Sequence, residues 1–177
     1  VRSYKTKSYN LPNGVERSYT LRALILQGRN LPAADESGLS DPRVVVSMGN
    51  HSVPGKVYCK QTVSPQWQEM IEVRDIIIRE GECKPNVNVI IYDYDDDETP
   101  MKYLGRAIIP SSELDIADPT LEFSKWYPCF SVNPGIMVGE ILADFQLVPT
   151  EYARSRPMPM LAPPVRTESA LRVALVG

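Results

Sequence analysis

Short apolar stretches that alternate with polar residues, cut at close intervals by Gly, Pro, Asn and Asp, constrain this chain more than any other feature. Strand side chains point alternately to two faces, so alternation over a few residues is the mark of a half-buried strand. Residues 19–26 alternate and then run apolar. Residues 43–48 are rich in β-branched side chains, which fit a pleated surface. Further strands are expected at 56–60, 67–73, 86–92, 104–109, 123–127 and 139–147. Gly49, Asn50, Pro54, Gly55 and Ser64-Pro65 read as breaks, and Pro32 and Gly38 mark the loop from Arg29 to Asp41 as turn chemistry. Helical periodicity is nearly absent; a single turn at 111–114, with serine as N-cap, is the exception expected. Eight short strands with turns between them predict an all-β, antiparallel sandwich.

The 177 residues suffice for one domain and a tail. Residues 1–18 are polar and read as an incoming linker or edge segment, residues 19–149 as the domain, and 150–177 as a Pro- and Arg-containing tail or inter-domain linker, flexible or extended. Residues 170–176 are apolar enough to dock. The chain begins at Val1, as expected of a piece of a longer protein. A net charge of −3 is too mild for a general nucleic-acid binder. Cys59, Cys83 and Cys129 are odd in number and widely spaced, which argues against a disulfide framework or a zinc site. No apolar run approaches the roughly 20 residues of a membrane span. His51 is the one histidine, and nothing around it forms a nucleophile motif, so an enzyme is not expected. Trp67 and Trp126 lie in strand contexts and read as core or sheet-packing residues.

Acids bunch at Asp93, Asp95, Asp96, Asp97 and Glu98, where the fifth strand ends, and Asp35 and Asp41 bracket the first loop. Residues two apart on a strand share a face, so Asp93 and Asp95 converge. If the two loops meet, four carboxylates surround one small volume, and a divalent cation would relieve their repulsion. Calcium, with roughly six to eight oxygen ligands in flexible geometry, suits such loops better than magnesium. The competing reading is a solvated acidic surface, since Asp is also a common turn residue.

Several segments, read together, resemble the C2 domain family. Ala33 to Pro42, ending Ser40-Asp41-Pro42, resembles its first calcium loop. Gln61-Thr-Val-Ser-Pro-Gln-Trp67 resembles its Thr-Leu-Asn-Pro-x-Trp segment, Ile91-Tyr-Asp-Tyr-Asp95 the entry to its third calcium loop, and Tyr103-Leu-Gly-Arg106 the return strand. The matches run in order over roughly residues 19–148. The resemblance implies an eight-stranded C2 sandwich of type II topology, with Ca2+ held by Asp35, Asp41, Asp93 and Asp95. Three residues before Gly105, where the family usually has a fifth acid, this chain has Lys102. A lysine there would repel a second cation or stand in for one. Asp97 or Glu98 could swing in as substitutes, because the third loop is slightly longer than the common form.

Residues 21–31 and 139–148 are similar to ferlins, tail-anchored proteins with several C2 domains that act in vesicle fusion and membrane repair. The resemblance implies calcium-dependent binding to anionic phospholipid membranes from the cytoplasmic side. Leu39, Pro100 and Met101 are the candidate loop-tip contacts, ordinary packing being the alternative, and other C2 domains or fusion proteins are candidate partners. Lys56 and Lys60 offer a weak basic patch. The rival reading is a calcium-independent scaffold or protein-interaction domain, and Lys102 favours it.

Overall fold

In a computed structural model, residues 14–94, 101–114 and 124–157 are described, and these form eight strands, one 3-10 turn and a short helix. The elements are β1 (Glu16–Arg29), β2 (Pro42–Met48), β3 (His51–Tyr58), β4 (Gln66–Arg79), β5 (Val87–Asp93), β6 (Lys102–Ile109), β7 (Lys125–Phe130), β8 (Met137–Pro149) and α1 (Thr150–Ser155). The strands form one antiparallel sheet in the order β3-β2-β5-β6-β7-β8-β1-β4, folded over so that β3 and β4 meet. The first loop follows β1 and β8 closes the sheet, as the type II arrangement requires.

β2 and β5 show the expected alternation, every second residue buried. Val44, Val46, Met48, Val87, Val89 and Ile91 point inward to meet Leu21, Ile25, Ile141 and Leu147 from the other half of the sheet. Trp67 is 2% exposed, and its indole N–H donates to the Pro42 carbonyl at 2.9 Å, which satisfies its polar end inside the core. Trp126 is half-buried under the Arg29 guanidinium, 4.0 Å from the ring centroid.

Several strands extend beyond their expected ends, for identifiable reasons, while β5 is displaced by one residue and β7, expected at 123–127, runs from Lys125 to Phe130. β4 continues from Val73 to Arg79 because Asp75, at φ 58°, inserts one extra residue and resets the alternation. Ile71 and Val73 are buried before the bulge, Ile76 and Ile78 after it. β3 passes through Pro54 and Gly55 instead of starting at Lys56, since an edge strand tolerates proline. The Glu69 carboxylate on β4 accepts the backbone N–H groups of Lys56 at 2.6 Å and Val57 at 3.1 Å, closing the seam between the two edges. β1 starts at Glu16, within the segment read as linker or edge. The expected turn at 111–114 is the 3-10 turn Ser111–Glu113, but Pro110 holds its N-cap position with no side-chain cap, so the serine N-cap is corrected.

The segment after Pro149 begins as α1, not as extended chain. β1 is buried on both faces from Thr20 to Ile25, and α1 is what covers the outer face. The Arg22 guanidinium, 6% exposed, bonds Glu72 at 3.2 Å and donates to the carbonyls of Ala153, at 3.1 Å, and Arg156. A cation at the last carbonyls of a helix satisfies groups the helix itself leaves open. Residues 158–177, and with them the apolar stretch 170–176, lie outside the described residues.

Candidate functional site

Antiparallel pairing places the β1–β2, β3–β4, β5–β6 and β7–β8 connections at one end of the sandwich. The first of these, between Asn30 and Asp41, is tied into shape by its own polar groups. The buried Ser40 hydroxyl accepts from the Ala34 N–H at 2.8 Å and donates to the Pro32 carbonyl at 2.9 Å. Gly38, at φ 78°, makes the tip turn, its N–H on the Asp35 carbonyl at 3.0 Å.

Asp41 joins three loops. Its backbone N–H donates to Asp93 Oδ1 at 2.6 Å, its carbonyl accepts from the Tyr94 N–H at 3.0 Å, and its Oδ1 accepts from the Gln61 N–H at 2.6 Å. Asp93 is fully buried at the end of β5. A buried carboxylate needs charge or hydrogen-bond compensation. Part of it comes from that amide and part from Lys102, whose Nζ lies 3.7 Å from Asp93 Oδ2 and 3.2 Å from Asp35 Oδ1. One ammonium thus serves carboxylates from the first loop and from the β5 end. Asp35 and Asp93 lie on either side of Lys102, while the shared face inferred for Asp93 and Asp95 rests on a residue outside the described ones. Among the described residues, no group of three or more His, Cys, Asp or Glu could by itself hold a metal ion. Asp95, Asp96, Asp97, Glu98 and Pro100 lie outside the described residues.

The remaining predicted contacts are dispersed. Leu39 is half-buried, and Met101, at the foot of β6, is 48% exposed. Lys56 and Lys60 are both exposed. Lys56 lines a groove with Arg74 and Arg154 but also with Glu69, Glu72 and Asp75, so the groove carries both signs of charge. Lys60 lies 5.7 Å from the Tyr58 ring centroid. His51 starts β3 at the opposite end of the sheet from Asp41 and Asp93. Sequence reasoning passed over the β7–β8 hairpin at the loop end, which exposes Val132, Ile136 and Met137. The available signal was a run of 14 uncharged residues, Trp126 to Gly139.

The C2 domain family model matches residues 19–129. The chain belongs to the C2 domain family. This C2 domain is 33% identical over 144 residues to Fer-1-like protein 4 of Mus musculus, the match covering 77% of this chain and 7% of that protein. It is 30% identical over 141 residues to myoferlin of Mus musculus, covering 73% of this chain and 6% of that protein. It therefore spans a small fraction of these relatives' length. Among solved structures it is similar to a C2 domain of a plant extended synaptotagmin 1, with a TM-score of 0.58 and 13% identity over 75% of this chain and 96% of that one, a likeness of fold.

Proposed function

We propose that this C2 domain binds anionic phospholipid membranes under calcium control, as one module of a longer ferlin-like protein acting at the cytoplasmic side of membranes in vesicle fusion or repair. The module binds; it does not catalyse. Its other partners would be neighbouring C2 domains or fusion proteins. One observation carries this reading: the Lys102 ammonium is shared by Asp35 and Asp93, so carboxylates from two loops converge on a single cation position.

The donor chemistry fits calcium, which takes carboxylate oxygens from loops. Asp35, Asp41 and Asp93 would hold the ion together with Asp95, with Asp97 or Glu98 as substitutes. Lys102 must withdraw from Asp35 and Asp93 for that to happen, and at 48% side-chain exposure on a flexible stem it can. When bound, the ion would cancel the acidic potential and offer coordination to lipid oxygens. Leu39, Pro100 and Met101 would meet the interface.

Thermal unfolding across a calcium titration tests the calcium step. A ligand that binds only the folded state adds about 2.7 kcal/mol at a hundred times its Kd. A clear rise in Tm that Asp93→Asn removes supports the reading; a Tm indifferent to calcium sinks it. The same lysine favours a second reading, a calcium-independent lipid or protein scaffold, because a tethered cation already neutralises the pair. Vesicle pelleting that persists in chelator would select it.

A further inference from the structure

We propose that the β7–β8 hairpin is a further membrane-contact element of this domain, inserting the side chains of Val132, Ile136 and Met137 into a lipid bilayer. The proposal rests on the reading that the loop end faces lipid, and adds a contact made by hydrocarbon rather than by charge.

Val132 is 73% exposed, Ile136 52% and Met137 53%, with Phe130 at 38% at the root. The other large apolar side chains exposed among the described residues, Val15, Val57, Ile77, Met101 and Ile108, are isolated from one another in the sequence. Isolated exposed apolar residues are ordinary, whereas a contiguous cluster marks a contact surface. The cluster lies within the uncharged run Trp126–Gly139, bounded by Lys125 and Glu140. The β1–β2 loop at the same end carries Asp35, Glu36 and Asp41, and the β3–β4 loop carries Lys60. An unshielded tip of this kind gains by entering hydrocarbon.

The hairpin also pairs part of its own backbone. Its Ser131 N–H donates to the Ile136 carbonyl at 2.9 Å, its Asn133 N–H to the Ser131 hydroxyl at 3.0 Å, and its Ile136 N–H to the Asn133 carbonyl at 3.4 Å. Pro134 has no N–H to satisfy. Each group paired internally is one fewer to strip of water at a lipid surface.

Two contacts hold the hairpin beside the cation position. The Tyr103 hydroxyl donates to the Phe130 carbonyl at 2.9 Å, next to Lys102. Gly139, at φ 132°, presses on the end of β1, where a Cβ would lie 2.7 Å from the Arg29 carbonyl oxygen. Beside the hairpin lie the Arg29 guanidinium, paired with Glu140 at 2.6 Å, and the Lys102 ammonium, paired with Asp35 at 3.2 Å, both about half exposed. Calcium at Asp35 and Asp93 would release the Lys102 ammonium beside the apolar tip, where it is complementary to an anionic headgroup layer. That complementarity, and continuity with the loop end, favour a bilayer over a second copy of the chain as the occupant.

The test is co-sedimentation of the 177-residue chain with phosphatidylcholine vesicles, with and without phosphatidylserine, in calcium and in chelator. The double variant Val132→Ser, Ile136→Ser should lower the partition coefficient at least about tenfold, from the loss of apolar burial. Ile136→Trp should raise it, and the added fluorescence should be quenched by lipid brominated in its acyl chains. Both variants should melt with the wild type. Wild-type binding that neither variant alters, with the Ile136→Trp emission unquenched, overturns the hairpin proposal and leaves the membrane reading standing. Absence of wild-type binding to every vesicle overturns both. A hairpin effect that persists in chelator supports the proposal while breaking the calcium step. Concentration-dependent dimerisation abolished by the double serine variant, without a change in vesicle binding, assigns the cluster to a second copy and overturns it.

Discussion

Two cation–carboxylate clusters stabilise this domain at different places, and they are built oppositely. On the outer face of β1, Arg22 is 6% exposed and divides its fork among Glu72, the Ala153 carbonyl and the Arg156 carbonyl. At the loop end, Lys102 is half exposed and reaches Asp35 and the buried Asp93 through one ammonium, at 3.2 and 3.7 Å. A planar guanidinium buried among several acceptors locks what it touches. An ammonium on a four-carbon stem is a point charge that can exchange. The first cluster fastens α1 to the sheet; the second holds two loops together through a charge that solvent, or a competing cation, can reach.

The comparison breaks if the two clusters respond alike to mutation. Arg22→Ala carries the largest expected effect, since it leaves the buried Ala153 carbonyl and Glu72 Oε1 without their partner, while Arg74 keeps only Glu72 Oε2. Urea denaturation should show a loss of about 2–4 kcal/mol, with Arg22→Lys recovering only part of it. Lys102→Asp comes next and acts in the opposite sense once calcium is added. It supplies the missing fifth acid, so the calcium-dependent rise in Tm should exceed that of the wild type, up to about 2.7 kcal/mol of added stability at a hundred times Kd. If this variant stays indifferent to calcium, the loop end is no calcium site. Without calcium, Lys102→Met should cost less than Arg22→Ala, because water screens the exposed Lys102–Asp35 pair and the buried Asp93, losing its cation, keeps the Asp41 amide as a partner. A loss equal to that of Arg22→Ala would show that the two clusters are equally structural.

The smallest effects belong to the thiols. Burial pushes the Cys129 thiol up to about 12, and burial also raises Cys59, while Cys83 is exposed. An aromatic disulfide reagent should therefore modify Cys83 first and Cys129 only on unfolding. The sign for stability follows from proton binding. Above the ordinary thiol range the unfolded chain loses its proton while folded Cys129 keeps it, so stability should fall as pH rises through about 9. Cys129→Ala should flatten that fall in a pH series of melting curves.

Much of this architecture was legible in the residues. The alternation in β2 and β5 and the turn residues between strands mark the sandwich, because the period-2 pattern is set by local pleating and by which face must leave water. The ordered motifs from Ser40-Asp41-Pro42 to Leu104-Gly105 pointed to the C2 family, which the family match to residues 19–129 shows. Less legible was whatever depended on a neighbour distant in sequence. The bulge at Asp75 looked like the end of a strand, since one inserted residue disrupts alternation unless the partner strand is seen. Pro54 looked like a break, since only the sheet order reveals that β3 is an edge. Six residues after Pro149 looked like the start of a tail, since Arg22, which caps α1, lies more than a hundred residues earlier.

The sequence by itself determined the strands, the turns between them and which residue types stand at the loop end, because those follow from local periodicity and side-chain chemistry. Tertiary structure decided which groups met. It set Lys102 between Asp35 and Asp93, tied Asp41 to three loops and brought the uncharged β7–β8 hairpin beside them. Sheet order and register bring distant residues within bonding range, and no local pattern encodes those distances.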